Sequence, residues 1–221
     1  MKRDLERAKK AVERRGILLV YPIAERPEIP SLWSELHPGA KMEWSWNEDA
    51  DPRVAEVWHL RERLAHTHDV AYAKWFRGRA TFFSLPVFTA LLGRLTARGD
   101  VHAGLPTAAN DILDLLRERS PLSTKQVRAE ADLQGKANET RFTHAMKALW
   151  TRLLIVGTGE VPDGAITSLA FGATELLFED EWSQRTSVPK KASAALAEAL
   201  KRVPAWQREL DRSLKHVQER A

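Results

Sequence analysis

The chain has 221 residues, of which 43% are hydrophobic and 29% charged, as in one large or two small folded domains. The absence of cysteine excludes disulfides, zinc fingers and thiol catalysis. No apolar run approaches the roughly 18 residues of a membrane-spanning helix, and residues 1–10 predict a charged helix rather than a signal peptide. We therefore expect a cytoplasmic protein with no membrane association.

The formal net charge of +4 hides a strong local imbalance. Residues 53–98 carry eight basic and three acidic side chains, whereas residues 16–52 carry two basic and seven acidic ones. A local basic excess permits binding to a polyanion without requiring it. If the protein binds a polyanion, the middle of the chain is the expected place.

Residues 1–98 predict a small α/β unit that is rich in tryptophan. Its expected elements are a helix over 4–15, a strand over 17–21, a Pro- and Trp-rich segment over 24–52 with a possible strand at Lys41–Trp46, a helix over 51–65, strands over 70–76 and 80–85, and a helix over 86–96. Asp51-Pro52 is a typical helix start, because the carboxylate caps free N–H groups and proline suits the first turn. Residues 97–104, with two glycines, predict a linker.

Residues 105–171 predict a winged-helix domain, in which a hairpin follows three helices. The expected elements are helices over 108–119, 125–131 and 138–153, a strand that begins at 154 and a return strand over 165–171. Residues 172–221 predict a helical extension whose long helix, over 190–219, is kinked at Pro204. The expected fold class is α+β, mainly helical: a winged helix-turn-helix with a small N-terminal α/β unit and a long C-terminal helix.

The third helix of the winged-helix unit is a candidate for reading DNA bases, since this helix enters the major groove in helix-turn-helix proteins. Its polar face and the residue just before it carry Lys136, Asn138, Arg141, His144 and Lys147. Arginine and lysine suit guanine edges and phosphates, and asparagine suits adenine. The unit as a whole has eight basic and eight acidic side chains, which is little for neutralising phosphates, so protein binding is an open alternative.

The predicted turn Arg77-Gly78-Arg79, with Lys74 close by, is a second candidate for DNA contact. Two arginines at a hairpin tip can follow a phosphate backbone or enter a minor groove. An ordinary solvated turn is the alternative interpretation. The predicted wing is less suited to DNA, because the acidic residues Glu160 and Asp163 flank its tip.

Two segments of the chain are similar to a known family. They are Val70–Leu95, with Tyr72, Trp75, Ala80 and Pro86, and Pro121–Val156, with Pro121-Leu122-Ser123, Phe142, Ala145-Met146-Lys147-Ala148-Leu149 and Leu153-Leu154-Ile155-Val156. In this order they resemble the AlkZ/YcaQ group of winged-helix DNA glycosylases, which excise alkylated bases and unhook interstrand crosslinks. The resemblance implies a DNA-associated fold with double-stranded DNA as the partner.

The catalytic motif of that family, Gln-x-Gln or Gln-x-Asp, has no counterpart, because no glutamine is followed two positions later by Gln or Asp. Glu35 and Glu43 are the candidate carboxylates for an unrecognised active site, and no motif predicts a metal or a cofactor. Three hypotheses follow: a non-catalytic DNA-binding relative that acts in repair, an active glycosylase, and a winged-helix module that binds protein or regulates transcription.

Overall fold

The computed structural model describes residues 2–44, 51–162 and 167–218, which form a mixed α/β fold with two antiparallel three-stranded sheets. The helices are α1 (Lys2–Arg15), α2 (Leu32–Leu36), α3 (Pro52–His66), α4 (Leu85–Thr96), α5 (Thr107–Arg119), α6 (Thr124–Glu130), α7 (Glu139–Thr151), α8 (Thr174–Leu177), α9 (Glu179–Gln184), α10 (Lys190–Arg202) and α11 (Pro204–Gln218). The strands are β1 (Ile17–Leu19), β2 (Val70–Phe76), β3 (Arg79–Ser84), β4 (Leu122–Ser123), β5 (Ile155–Pro162) and β6 (Thr167–Ala173). No helix in these ranges is long and apolar enough to cross a membrane.

The first sheet has the strand order β1-β3-β2 and confirms the predicted hairpin. Ile17 pairs with Phe83, and Tyr72 pairs with Phe82 across the hairpin. Gly16 ends α1 with a φ of 76° and leads the chain directly into β1. Glycine suits this position because residues with a side chain rarely adopt that conformation.

The Trp-rich segment between β1 and α3 differs in part from the prediction. A short helix, α2, was not predicted; Ser31 and Ser34 form a capping box at its start, and Trp33 is buried. The predicted strand does not form over residues 41–44, and residues 45 and 46 lie outside the described ranges. The predicted start of α3 is confirmed, since the Asp51 carboxylate accepts a hydrogen bond from the backbone N–H of Arg53 at 3.0 Å.

The second sheet, in the order β4-β6-β5, packs beside α5, α6 and α7. Ser123 and Gln126 form a reciprocal capping box at the start of α6. An apolar stripe along α7 and the residues just after it is buried, namely Phe142, Met146, Leu149, Trp150 and Leu153. The segment therefore runs helix, short strand, two helices and hairpin.

Residues 190–218 form two helices, α10 and α11, where the sequence predicted one kinked helix. Pro204 has no backbone N–H and cannot continue α10, which ends at Arg202, so Pro204 instead begins α11. On α11, the buried Trp206 ring lies 4.9 Å from the Phe76 ring at the end of β2. This contact places α11 against the β2–β3 hairpin.

Residues 97–104 form turns, and Arg152 at the end of α7 holds them in place. The buried Arg152 guanidinium donates hydrogen bonds to the carbonyls of Val101 at 2.8 Å and Ala103 at 2.7 Å. It also donates to the carbonyl of His216 in α11 at 2.9 Å. One side chain thus joins α7, these turns and the C-terminal helix. The larger hydrophobic core is likewise continuous from Ile17 to Val217.

Candidate nucleic-acid interface

A cavity of about 600 Å³ opens between the β2–β3 turn, α7 and α11; we call it the central groove. Its apolar floor is formed by Trp75, Phe142, Met146, Trp150, Leu169 and Phe171. The Trp75 indole N–H donates to the Ser213 hydroxyl at 3.1 Å, which fixes this part of β2 to α11. The floor comes from three separate parts of the chain, and all of its side chains except the half-buried Leu169 are buried.

Five basic side chains from four elements and one turn line the central groove: Lys74, Arg77, Arg128, Lys147 and Arg212. Two of them are committed to acidic partners. Arg128 pairs with Glu139 at 2.9 Å and lies 3.8 Å from the centre of the Phe142 ring. Arg212 donates to Glu209 at 2.6 Å. Within the described part of the chain, no carboxylate pairs with Lys74, Arg77 or Lys147, so none of the three is neutralised by an acidic side chain.

Among the described residues that line the groove, Glu209 is the acidic one, and its side chain is only 5% exposed. One carboxylate oxygen accepts the Arg212 hydrogen bond, and the other accepts the backbone N–H of Arg77 at 3.3 Å. Its negative charge is therefore used internally, and the entrance of the groove remains basic.

The backbone of the β2–β3 turn is unusual because both central residues, Arg77 and Gly78, have positive φ, of 51° and 75°. Phe76 pairs with Arg79 across the turn, as in a two-residue hairpin with a type I′ turn. Arginine rarely adopts this conformation, so the surroundings must hold it. The hydrogen bond from the Arg77 N–H to Glu209 supplies such a support and fixes the tip against α11.

Lys74 is half-buried on β2, next to a register irregularity between Ala73 and Phe76. Burial lowers the pKa of the Lys74 amine, and the nearby Arg61 guanidinium lowers it further. The opposite occurs at Lys9, where a hydrogen bond to Asp69 raises the pKa of the amine. Lys74 thus combines access to the groove with an environment that disfavours its charged form.

The groove brings together three of the residues singled out in the sequence: Lys74, Arg77 and Lys147. The other candidate DNA-contact residues are not among the described residues that line the groove. Arg79, Lys136 and Arg141 are exposed elsewhere, and His144 borders a neighbouring cavity of about 60 Å³ with Lys147. The Asn138 amide donates to the carbonyls of Asp132 and Gln134, so this side chain is occupied by its own turn. The DNA-contact roles of all these residues stay predictions.

The two candidate carboxylates lie away from the groove. Glu35 accepts hydrogen bonds from Arg14 and, at 2.7 Å, from Arg15, and its side chain is 8% exposed. It therefore joins α2 to α1. Glu43 is 70% exposed and pairs with Lys41 at 2.9 Å, and that hydrogen bond lowers the pKa of its carboxyl group.

The sequence suggested that Glu160 is an exposed negative charge near the hairpin tip, but the structure places it in a buried ion pair. It forms an ion pair with Arg61, and the two side chains are 8% and 6% exposed. The Thr167 hydroxyl donates to its second oxygen at 2.6 Å, and the second nitrogen of Arg61 donates to the Tyr72 hydroxyl at 3.3 Å. Glu160 is thus neutralised inside the protein rather than free near the hairpin tip; Asp163 lies outside the described residues.

Comparison with known proteins identifies the family. A family model described as AlkZ related matches residues 3–215. No curated protein and no solved structure matches the chain. The family match includes α1 and most of α11, which lie outside the two segments that carry the sequence resemblance, and it covers both walls of the central groove. The chain therefore belongs to the AlkZ-related family.

Proposed function

We propose that this protein binds double-stranded DNA through the central groove and acts in DNA repair without the base-excision chemistry of the glycosylases. One observation carries the proposal: Lys74, Arg77 and Lys147 converge on one concave surface with no acidic partner among the described residues. Phosphate neutralisation by such cations supplies most non-specific affinity for duplex DNA. The family membership supports the same conclusion, because it suggests a fold related to DNA repair glycosylases.

We also propose that residues 105–171 form a winged-helix domain between an N-terminal unit, residues 1–98, and a helical extension, residues 172–221. The order α5-β4-α6-α7-β5-β6 and the pairing of β4 with β6 support it. In this arrangement α7 is the recognition helix, with exposed Arg141, His144 and Lys147 on its outer face. The groove then lies where all three parts meet.

The proposed binding mode separates phosphate contact from base reading. Arg77 contacts one phosphate strand from the β2–β3 turn, while Lys147 contacts the other side from α7. Contacts of this kind position a protein on DNA but carry no sequence information. We therefore expect salt-dependent binding with little sequence preference, and the internal pairing of Arg128 and Arg212 limits their contribution.

The test is the salt dependence of binding to a fluorescently labelled duplex, measured by anisotropy. Each lost phosphate contact should reduce the slope of log affinity against log salt by about 0.9, so Arg77→Ala and Lys147→Ala should each do so. Lys201→Ala removes an exposed charge from α10, outside the central groove, and should leave the slope unchanged. An absence of binding at low salt, or an equal effect of Lys201→Ala, would refute the proposal and favour a protein-binding role.

The two arginines of the β2–β3 turn offer a sharper comparison. Both are exposed, but only Arg77 lines the groove among the described residues. We expect Arg77→Ala to weaken binding more than Arg79→Ala, and the two together to weaken it more than Lys147→Ala. The reverse order would assign the main role to α7.

The alternative function is base excision with Glu35 or Glu43 as the catalytic carboxylate, and a glycosylase assay tests it directly. Glu35 is held by two arginines and Glu43 by a lysine, and neither lines the central groove. We therefore expect no abasic sites when the protein is incubated with duplex that contains 7-methylguanine. Excision that is lost in Glu35→Gln or Glu43→Gln would establish the glycosylase instead.

A further inference from the structure

We propose that Lys74 captures abasic sites in DNA, by forming a covalent imine with the open-chain deoxyribose aldehyde held in the central groove. The inference rests on the proposed function, because the groove must first bind the duplex. It adds a chemical step and a substrate class, a sugar that has lost its base, to a surface otherwise assigned only to phosphate contact.

The first argument is the position of Lys74. It lies on the groove wall directly before Trp75, whose indole is held by Ser213. Regular pairing of β2 with β3 is interrupted between Ala73 and Phe76. Such irregularities commonly re-aim a side chain near a functional site. Lys74 is thus a half-buried amine on a fixed strand rather than a lysine on a free surface.

The second argument is the electrostatic environment. Imine formation needs a neutral amine, and lysines gain this form when burial or a neighbouring cation disfavours the charge. Lys74 has both, since it is half-buried near Arg61, and no carboxylate of the described residues pairs with it. Burial is the larger cause of its lowered pKa. Lys147, the other lysine of the groove, is exposed and lacks this burial.

The third argument is the shape of the cavity. Its volume of about 600 Å³ lies in the range of sites for small organic ligands, which is ample for a sugar without its base. The apolar floor beneath, which includes Trp150 and Phe142, offers no carboxylate to repel the sugar phosphates. Arg77 and Lys147 at the rim can hold the phosphates on either side of the sugar. An intact nucleotide in a duplex offers no aldehyde, which makes the step selective for abasic sites.

The proposed chemistry balances without a metal or a redox partner. The neutral Lys74 Nζ attacks C1′ of the aldehyde, and the resulting carbinolamine takes up one proton from water and loses one water molecule to give a protonated imine. The imine accepts electrons when C2′ loses its proton to water, and the C3′–O3′ bond then breaks with departure of the 3′-phosphate. Hydrolysis of the imine returns the amine and releases the unsaturated sugar fragment.

The test uses the full-length protein and a duplex with one abasic site, with borohydride added to reduce the imine to a stable amine. Wild type should give a covalent complex on a denaturing gel. Lys74→Arg keeps the charge but removes the reactive amine, and trapping should fall about tenfold or more. Lys201→Arg, outside the groove, should trap as wild type does. Unchanged trapping by Lys74→Arg, or its loss only in Lys147→Arg, would overturn the proposal.

Two further measurements separate the possible failures. Anisotropy with the same abasic duplex reports binding without chemistry: no binding by wild type refutes both the proposed function and this inference, whereas binding without trapping refutes the inference alone. Circular dichroism tests whether Lys74→Arg folds. If it does not, mass spectrometry of the digested wild-type adduct gives the answer, since modification of Lys74 supports the proposal and modification of another lysine overturns it.

Discussion

Glu160→Gln is a substitution for which the structure predicts a large loss of stability. The Glu160 carboxylate neutralises the Arg61 guanidinium, and both side chains are almost fully buried. Glutamine has nearly the same shape and keeps one oxygen for a hydrogen bond, so the variant removes the charge and little else. Arg61 would then remain buried as an unpaired cation.

The expected cost follows from the geometry around Arg61. Removing one partner of a buried ion pair typically costs about 3–5 kcal/mol in the free energy of unfolding. Arg61 keeps a hydrogen bond to Tyr72 at 3.3 Å and lies 3.9 Å from the centre of the Trp58 ring, and the new amide can still accept from it. We therefore expect the lower end, about 3 kcal/mol, which is a large part of the usual total of ~5–15 kcal/mol.

Urea denaturation followed by tryptophan fluorescence measures this loss, with the slope of the free energy against urea expected to stay unchanged. Glu198→Gln is the matched control, because it breaks the Arg202–Glu198 pair, whose side chains are 47% and 52% exposed. Exposed pairs contribute little, so its cost should stay below about 1 kcal/mol. Equal effects of the two variants would refute the argument, since they would mean that water screens the buried pair.

The same ion pair predicts an acid dependence. Burial alone would raise the pKa of Glu160, but hydrogen bonds from Thr167 and Arg61 outweigh it and place the pKa below the ordinary value of 4.5. A carboxyl group whose pKa is lower in the folded state stabilises that state above its unfolded pKa. This stability should be lost as the pH falls below about 4.5, and Glu160→Gln should show less of that loss.

Three shorter predictions concern other groups. Burial raises the pKa of Tyr21 to about 12 and also raises that of Tyr72, so the tyrosinate absorbance at 295 nm should develop at a higher pH in the folded protein than in the unfolded one. The contribution of Tyr21 to stability is present below pH about 10 and is lost as the pH rises toward 12. Glu209→Gln weakens the support of the Arg77 turn, so DNA affinity should fall although a negative charge is removed; a rise would refute this role of Glu209. Gly157→Ala places a methyl group 2.3 Å from the Tyr72 ring and should lower the thermal midpoint, at a cost of about 1–3 kcal/mol; an unchanged midpoint would refute the close approach.

Local rules were enough to predict most elements of the fold. Asp51 and Ser123 begin helices because their side chains satisfy N–H groups a few residues away, and such interactions are readable from a short stretch of sequence. The apolar stripe of α7 was readable for the same reason. Pro204 was recognised as an interruption, but the position of the helix that follows it depends on the packing of Trp206 against Phe76, which no local pattern contains.

The central groove was beyond local rules because its walls come from distant parts of the chain. Lys74, Arg77 and Lys147 were each recognised as basic candidates, but their convergence follows only from tertiary packing. Arg212 was missed because its role depends on where α11 docks. Charge counting also misjudged Glu160, since a residue near a hairpin tip can still be buried when a neighbouring helix covers it with a guanidinium.

Arg152 determines how the central groove can respond to a ligand. α7 and α11 form two of its walls, and Arg152 at the end of α7 is bonded to the carbonyl of His216 in α11. The distance between these walls is therefore set before any ligand arrives, which reduces the ordering cost of binding. Because the groove is rigid, the DNA must change its shape on binding: a duplex that enters has to bend or open, and this deformation costs free energy. DNA that has lost stacking or pairing at one position needs less free energy to bend. A rigid groove therefore favours the binding of damaged sites.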